Sequence, residues 1–167
     1  GYYALPETGH LMAEAFASLA PIPVVIAPGR ADPCGDGSLY ALTRWPDNVI
    51  ILPPGPITAV RVAPDLTIWG AAWSPDGPVE LPQLQDGGDG RHLLLLHAEQ
   101  VSGDGDGPSP AGGMTPAMLR AAGFTYALLG GDHMGGTWPH DDPCGCFPGS
   151  LEPLAFDEAG GSHGASL

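Results

Sequence analysis

Leu93-Leu94-Leu95-Leu96-His97 is the stretch from which the fold is read. An unbroken apolar run of this length is too short for a buried helix and fits a central strand covered on both faces. It stops abruptly at an imidazole. Two other runs share the pattern. Val24-Val25-Ile26-Ala27 leads into the turn-rich loop Pro28–Ser38, and Thr125–Leu129 leads into Gly130-Gly131-Asp132-His133. Loops at the carboxyl ends of parallel strands are where open α/β sheets hold ligands. With these three strands parallel, Asp32, His97, Asp132 and His133 converge at one sheet edge.

The remaining elements follow outward from these strands. Residues 8–20 carry Leu11, Met12, Ala15, Phe16 and Leu19 at helical spacing, with Thr8 placed to cap the start, and Pro21-Ile22-Pro23 ends the helix. Val49–Leu52, Ile57–Val62 and Leu66–Trp73 read as consecutive strands separated by prolines and glycines. In the second of these, Ile57, Ala59 and Arg61 alternate with Thr58, Val60 and Val62. Thr115-Pro116 opens a short helix that Gly123 closes. Residues 74–91 and 103–113 are Gly/Asp/Pro linkers, and the tail is Gly- and Pro-rich around the patches Cys146–Ser150 and Leu154–Phe156. Strands mix with helices, so the class is α/β or α+β, in one domain over residues 1–167 without internal repeats.

Composition narrows the function classes. There are 26 glycines and 20 prolines in 167 residues, a fraction that suits disorder, but 43% of the chain is hydrophobic and only 14% charged, which suits a packed core. The formal charge of −14 argues against direct binding to nucleic acid, since phosphate contacts require Lys and Arg. No apolar run approaches the ~18 residues of a membrane span. The start GYYALPETGH lacks a basic region followed by an apolar one, so it does not read as a signal peptide. Cys34, Cys144 and Cys146 form an odd set, which at this length points away from a disulfide framework and toward the cytoplasm.

Carboxylate plus imidazole is a ligand set for Zn, Mn or Fe, so Asp32, His97, Asp132 and His133 are candidate ligands for a single divalent metal; they are equally compatible with ordinary polar loop residues. A second set, His133, His140, Cys144 and Cys146, contains the donor types of a tetrahedral zinc site, but Cys-x-Cys is tighter than common zinc spacings and also suits a Gly/Pro loop with incidental thiols. The runs around Asp86–Asp89 and Asp104–Asp106 lack the remaining ligands of a calcium loop and read as solvated linkers. Trp69, Trp73 and Trp138 suit either a stacking surface or core packing. His92, ahead of the apolar run, reads as a surface residue.

The order of several segments resembles a known family. Ile22-Pro23-Val24-Val25-Ile26-Ala27-Pro28-Gly29, Trp45-Pro46-Asp47-Asn48-Val49, Leu94-Leu95-Leu96-His97 with Val101-Ser102-Gly103, Ala121–Gly130 and Phe147–Glu158 are similar to successive stretches of the calcineurin-like metallophosphoesterases, in particular their DNA-repair exonuclease branch, the double-strand-break nuclease subunit. The likeness spans roughly nine-tenths of the chain. It implies a layered β-sandwich flanked by helices and a two-metal site that activates water and holds a phosphate.

The departures from that pattern shape the expected function. The family's first two metal motifs precede the segments found here, so its amino-terminal strands are expected to be missing. In the third motif, the ligand Asn is Arg30 and the His is Ala31, with Asp32 kept. The lone His of the fourth motif is His97. In the fifth, the first His is Gly131 and the last is kept as His133. His97 and His133 are then the only inherited ligands, and no bridging carboxylate remains for a two-metal centre. The cofactor expectation is therefore none, or a single divalent metal on His97 and His133 with Asp132 or Asp32. Arg30, His97 and His133 are expected to bind a small molecule or anion, the Arg30 charge standing in for a metal. The resulting reading is a degenerate metallophosphoesterase-like protein that has lost phosphodiester hydrolysis and keeps, or has changed, the use of the old cleft. One alternative is an active metal-dependent phosphoesterase completed by another chain or segment. Another is a non-catalytic structural subunit. An exposed sheet edge left by the missing strands would favour a homo-oligomer or a partner protein.

Overall fold

The computed structural model describes residues 6–75, 80–84, 90–98, 115–133 and 135–150. The expected linker residues 76–79, 85–89 and 103–113, the patch Leu154–Phe156, and the resemblance segments Val101–Gly103 and Leu151–Glu158 lie outside them. Within them, the chain forms α1 (Pro6–Ala17), β1 (Val24–Ile26), α2 (Leu39–Leu42), β2 (Val49–Ile51), β3 (Thr58–Ala63), β4 (Leu66–Gly70), β5 (Arg91–His97), α3 (Pro116–Ala122), β6 (Tyr126–Gly130), β7 (Gly136–Trp138) and β8 (Gly145–Phe147).

The apolar runs form strands, but β1 and β2 are half-buried throughout, and in β5 Leu94 and Leu96 are buried while Leu93 and Leu95 are half-buried, so the expected cover on both faces is incomplete. A six-stranded mixed sheet has the order β3-β4-β5-β6-β8-β7. Its centre is parallel, from β4 through β5 and β6 to β8, and its outer pairs β3–β4 and β7–β8 are antiparallel. A separate parallel pair, β1–β2, joins this sheet at its carboxyl end. Ala72 N–H donates to Pro53 O (2.9 Å), Trp73 N–H to Pro28 O (2.8 Å), and Pro54 bridges Ala72 in parallel sense. The carboxyl ends of β1, β2, β4, β5 and β6 therefore face the same way. Only β3–β4 is a hairpin among the strands expected to be consecutive, because β2 pairs with β1 and not with β3.

Alternation along the strands defines the core. Leu94, Leu96, Ala127, Leu129 and Phe147 point to one face of the sheet, where Leu119 of α3 covers them, and all six are essentially buried. The helix forms where its capping signals predict. Thr115 accepts the Met118 N–H through its side chain (3.2 Å), Pro116 occupies the first turn, and Gly123 closes the helix in the left-handed region (φ 83°). In β3, Ala59 and Arg61 face solvent, while Thr58, Val60 and Val62 are half-buried, as the alternation predicts.

Two expectations are corrected. First, α1 begins at Pro6, so Thr8 lies inside the helix and is not its cap. Its covered stripe is Gly9, Met12, Ala13 and Phe16, while Leu11 is 67% exposed and Leu19 43% exposed. The cause is a close crossing onto α2: a methyl group at Gly9 would lie 2.0 Å from Thr43 Oγ1 and 2.9 Å from Leu39 Cδ1. Packing has turned the helix about its axis away from its own leucines. Second, His92 is not a surface residue. It is half-buried inside β5, and Trp69 Nε1–H donates to its Nδ1 (3.0 Å). An indole only donates, so Nδ1 is the acceptor and the neutral ring carries its proton on Nε2, which is buried without a partner.

The core assignment has a measurable consequence. Leu94→Ala is expected to lower the unfolding free energy by about 2–5 kcal/mol, and Leu11→Ala to change it by less than about 0.5 kcal/mol, in urea titrations. Equal costs at the two positions would contradict the packing described.

Candidate functional site

The site is assembled from the loops that follow β1 and β6 and from the carboxyl end of β5. After β1, Pro28 is fully buried and Gly29 turns the chain. Asp32 closes this turn: its Oδ1 accepts the Gly29 N–H (3.0 Å), and its Oδ2 accepts the Tyr40 hydroxyl. Tyr40 belongs to α2, whose start is capped by Ser38 Oγ accepting the Ala41 N–H (3.2 Å). Behind it, the Trp45 ring stacks on Tyr40, and Trp45 Nε1–H donates to the Tyr40 carbonyl (3.1 Å). Phe16 of α1 stacks on the same indole. Burial, then the hydrogen bond to Asp32 and its negative charge, push the Tyr40 phenol above its ordinary range. Burial, then Asp32, likewise push the Cys34 thiol up.

β5 and β6 end level with each other, with His97 in register with Gly130 and Ala98 N–H bonded to Gly130 O (2.7 Å). The imidazole of His97 therefore emerges beside Gly131, Asp132 and His133. Its ring lies against backbone on two sides. A methyl group at Gly29 would be 2.9 Å from His97 Nδ1, and one at Gly131 would be 3.1 Å from its Cε1 and 2.6 Å from the Ala98 carbonyl. Gly131 also has φ 114°, a conformation that residues with a Cβ rarely adopt. Space thus calls for glycine at both walls of this slot, and conformation as well at Gly131.

A fourth segment completes the rim. Ser150 N–H donates to the His133 carbonyl (3.0 Å), and Gly149, at φ 76°, lies against Gly135 and His133. Together, Gly29, Arg30, Ala31, Asp32, His97, Gly131, Asp132, His133, Gly149 and Ser150 line an open cleft of about 320 Å³. Asp32, His97, Asp132, His133 and Arg30, singled out from the sequence, all line it. The glycine walls and Ser150 were not foreseen there, although the Gly130-Gly131 pair is a visible sign of close backbone approach. Tyr40 carries no sequence signal at all.

The other candidate set is not assembled. Cys146 is buried in β8, Cys144 sits at the strand's start with its N–H on the Trp138 carbonyl, and His140 is exposed beside Asp141. Burial pushes the Cys144 thiol up. Among the described residues, no three His, Cys, Asp or Glu side chains are grouped so as to hold a metal ion, either here or in the cavity. Trp69 and Trp138 pack against the core and do not line the cavity.

Compared with known proteins, the chain matches no family model, no curated protein and no solved structure. Among the described residues, no helix is long and apolar enough to cross a membrane.

The Tyr40–Asp32 contact predicts an alkaline weakness. A phenol whose folded pKa exceeds its unfolded value of about 10 stabilises the fold fully below that pH, and the contribution is lost as pH rises beyond it. Unfolding free energy is therefore expected to fall above pH ~10, with a shallower fall in Tyr40→Phe. Identical slopes in the two proteins would contradict the contact.

Proposed function

We propose that the chain is a degenerate relative of the metallophosphoesterases that binds a small anion in this cleft and does not hydrolyse phosphodiesters by a two-metal mechanism. The observation that carries the reading is the gathering of Arg30, His97 and His133 on the lining of one cleft. A guanidinium offers paired donors that match the oxygens of a phosphate or carboxylate.

The charges in the cleft set the terms of binding. Asp32 is engaged by the Gly29 amide and the Tyr40 hydroxyl, so its role is to shape the loop. Asp132 is a second carboxylate on the lining. With a formal charge of −14 on the whole chain, attraction of an anion depends on contact with Arg30 and the imidazoles rather than on the long-range field. A small, compact anion suits this better than a polyanion such as nucleic acid.

The two-metal chemistry of the resembled family does not fit these residues. Arg30 and Ala31 stand where that family places an amide ligand and an imidazole, and neither a cation nor a methyl group ligates a metal. An enzyme completed by another chain would still meet these two side chains inside its site.

Inorganic phosphate is the simplest probe. Titration followed by NMR is expected to show saturable shifts at His97 and His133, and Arg30→Ala to weaken binding about tenfold, the effect of removing one charge-assisted contact. With added Mn, bis-p-nitrophenyl phosphate is expected to stay intact. Two bound Mn ions per chain together with turnover would overturn the reading.

A further inference from the structure

The Tyr40 hydroxyl, the Asp32 carboxylate, the Gly29 amide and the His97 ring form a continuous series of contacts from the helical layer to the floor of the cleft. We infer that Tyr40 is a positioning residue for the cleft, fixing through Asp32 the loop that walls the His97 imidazole. The inference rests on the cleft being the functional site, and it adds how that site is held in shape from outside.

Asp32 has two carboxylate oxygens, and each is engaged once: Oδ1 by the Gly29 amide and Oδ2 by the Tyr40 hydroxyl. Those two contacts orient the carboxylate plane, and with it the separation of Gly29 from Asp32. Gly29 has no side chain, and a methyl group added there would lie 2.9 Å from His97 Nδ1, so the backbone and the ring face each other with no room for one. A small displacement of this loop is therefore felt by the ring without any intervening side chain to absorb it.

Tyr40 is itself held by groups that never reach the cavity. Trp45 stacks on its ring with centroids 6.1 Å apart and donates its indole N–H to the Tyr40 carbonyl (3.1 Å). Phe16 stacks on the far side of the α1–α2 contact, with centroids 6.2 Å from Trp45. Neither Tyr40, Trp45 nor Phe16 lines the cavity. Among the described residues, the hydrogen bond from the Tyr40 hydroxyl to Asp32 links this aromatic layer to the cavity lining.

Such a role is distinguishable from mere support of the fold. In ligand-free protein, Tyr40→Phe removes only the hydroxyl, and Asp32→Asn keeps the shape of the acceptor while removing its charge. Each is expected to move the His97 ring-proton resonance in NMR spectra and to leave that of His140, exposed on another loop, in place. The double variant is expected to shift His97 by less than the sum of the two single changes, because both act on one linkage. A His97 signal unchanged in both single variants would overturn the inference, as would strictly additive shifts. Equal movement of His97 and His140, signalling general loosening, would overturn it too. Phosphate titration of the same samples separates the two proposals. A moved His97 signal in a protein that binds no phosphate upholds the positioning role while rejecting the anion reading.

Discussion

His97 leaves the end of β5 into a slot whose two walls are backbone. On one side lies Gly29, on the other Gly131, and neither position has room for a methyl group. This close approach constrains much of the carboxyl edge. It demands that the loop after β1 turn tightly at Gly29, which Asp32 secures by accepting that residue's amide. It demands that the loop after β6 begin in a positive-φ conformation, which Gly131 alone supplies without strain. It also requires β5 and β6 to end together, as the register of His97 with Gly130 achieves.

The parallel arrangement of the strands turns that local packing into a cavity. Because β1, β5 and β6 all point the same way, their carboxyl ends share one edge, and polar side chains from distant parts of the chain meet there. The apolar face below is held by contacts of a different kind. Leu94, Leu96, Ala127 and Leu129 pack under Leu119 of α3, and this packed layer fixes the heights at which the strands end. Stability and site geometry thus come from opposite faces and ends of the same strands.

Much of the sheet was legible in the sequence because its signals are strong and local. A four-leucine run ending in His, a Val/Ile run before a turn-rich loop, and a helix bounded by Thr-Pro and Gly were each read as the elements they form. The convergence of Asp32, His97, Asp132 and His133 followed from one assumption, that the strands were parallel. What could not be read was decided by contacts distant in sequence. The covered stripe of α1 is set by Gly9 meeting Thr43, so the exposed leucines misled. His92 is drawn inward by Trp69. Tyr40 reaches Asp32 only because α2 folds back over the loop, and nothing in its immediate sequence announces it. The set His133, His140, Cys144 and Cys146 has the donor types of a zinc site at spacings that fit no common one, and strand β8 buries one thiol while His140 turns to solvent.

Most direct is a nuclear Overhauser measurement on the ring protons of His97. The account predicts cross-peaks from this one imidazole to the α-protons of both Gly29 and Gly131, since the ring contacts both backbones. The absence of either would mean that the loops do not close around the ring, and the cleft described here would not exist.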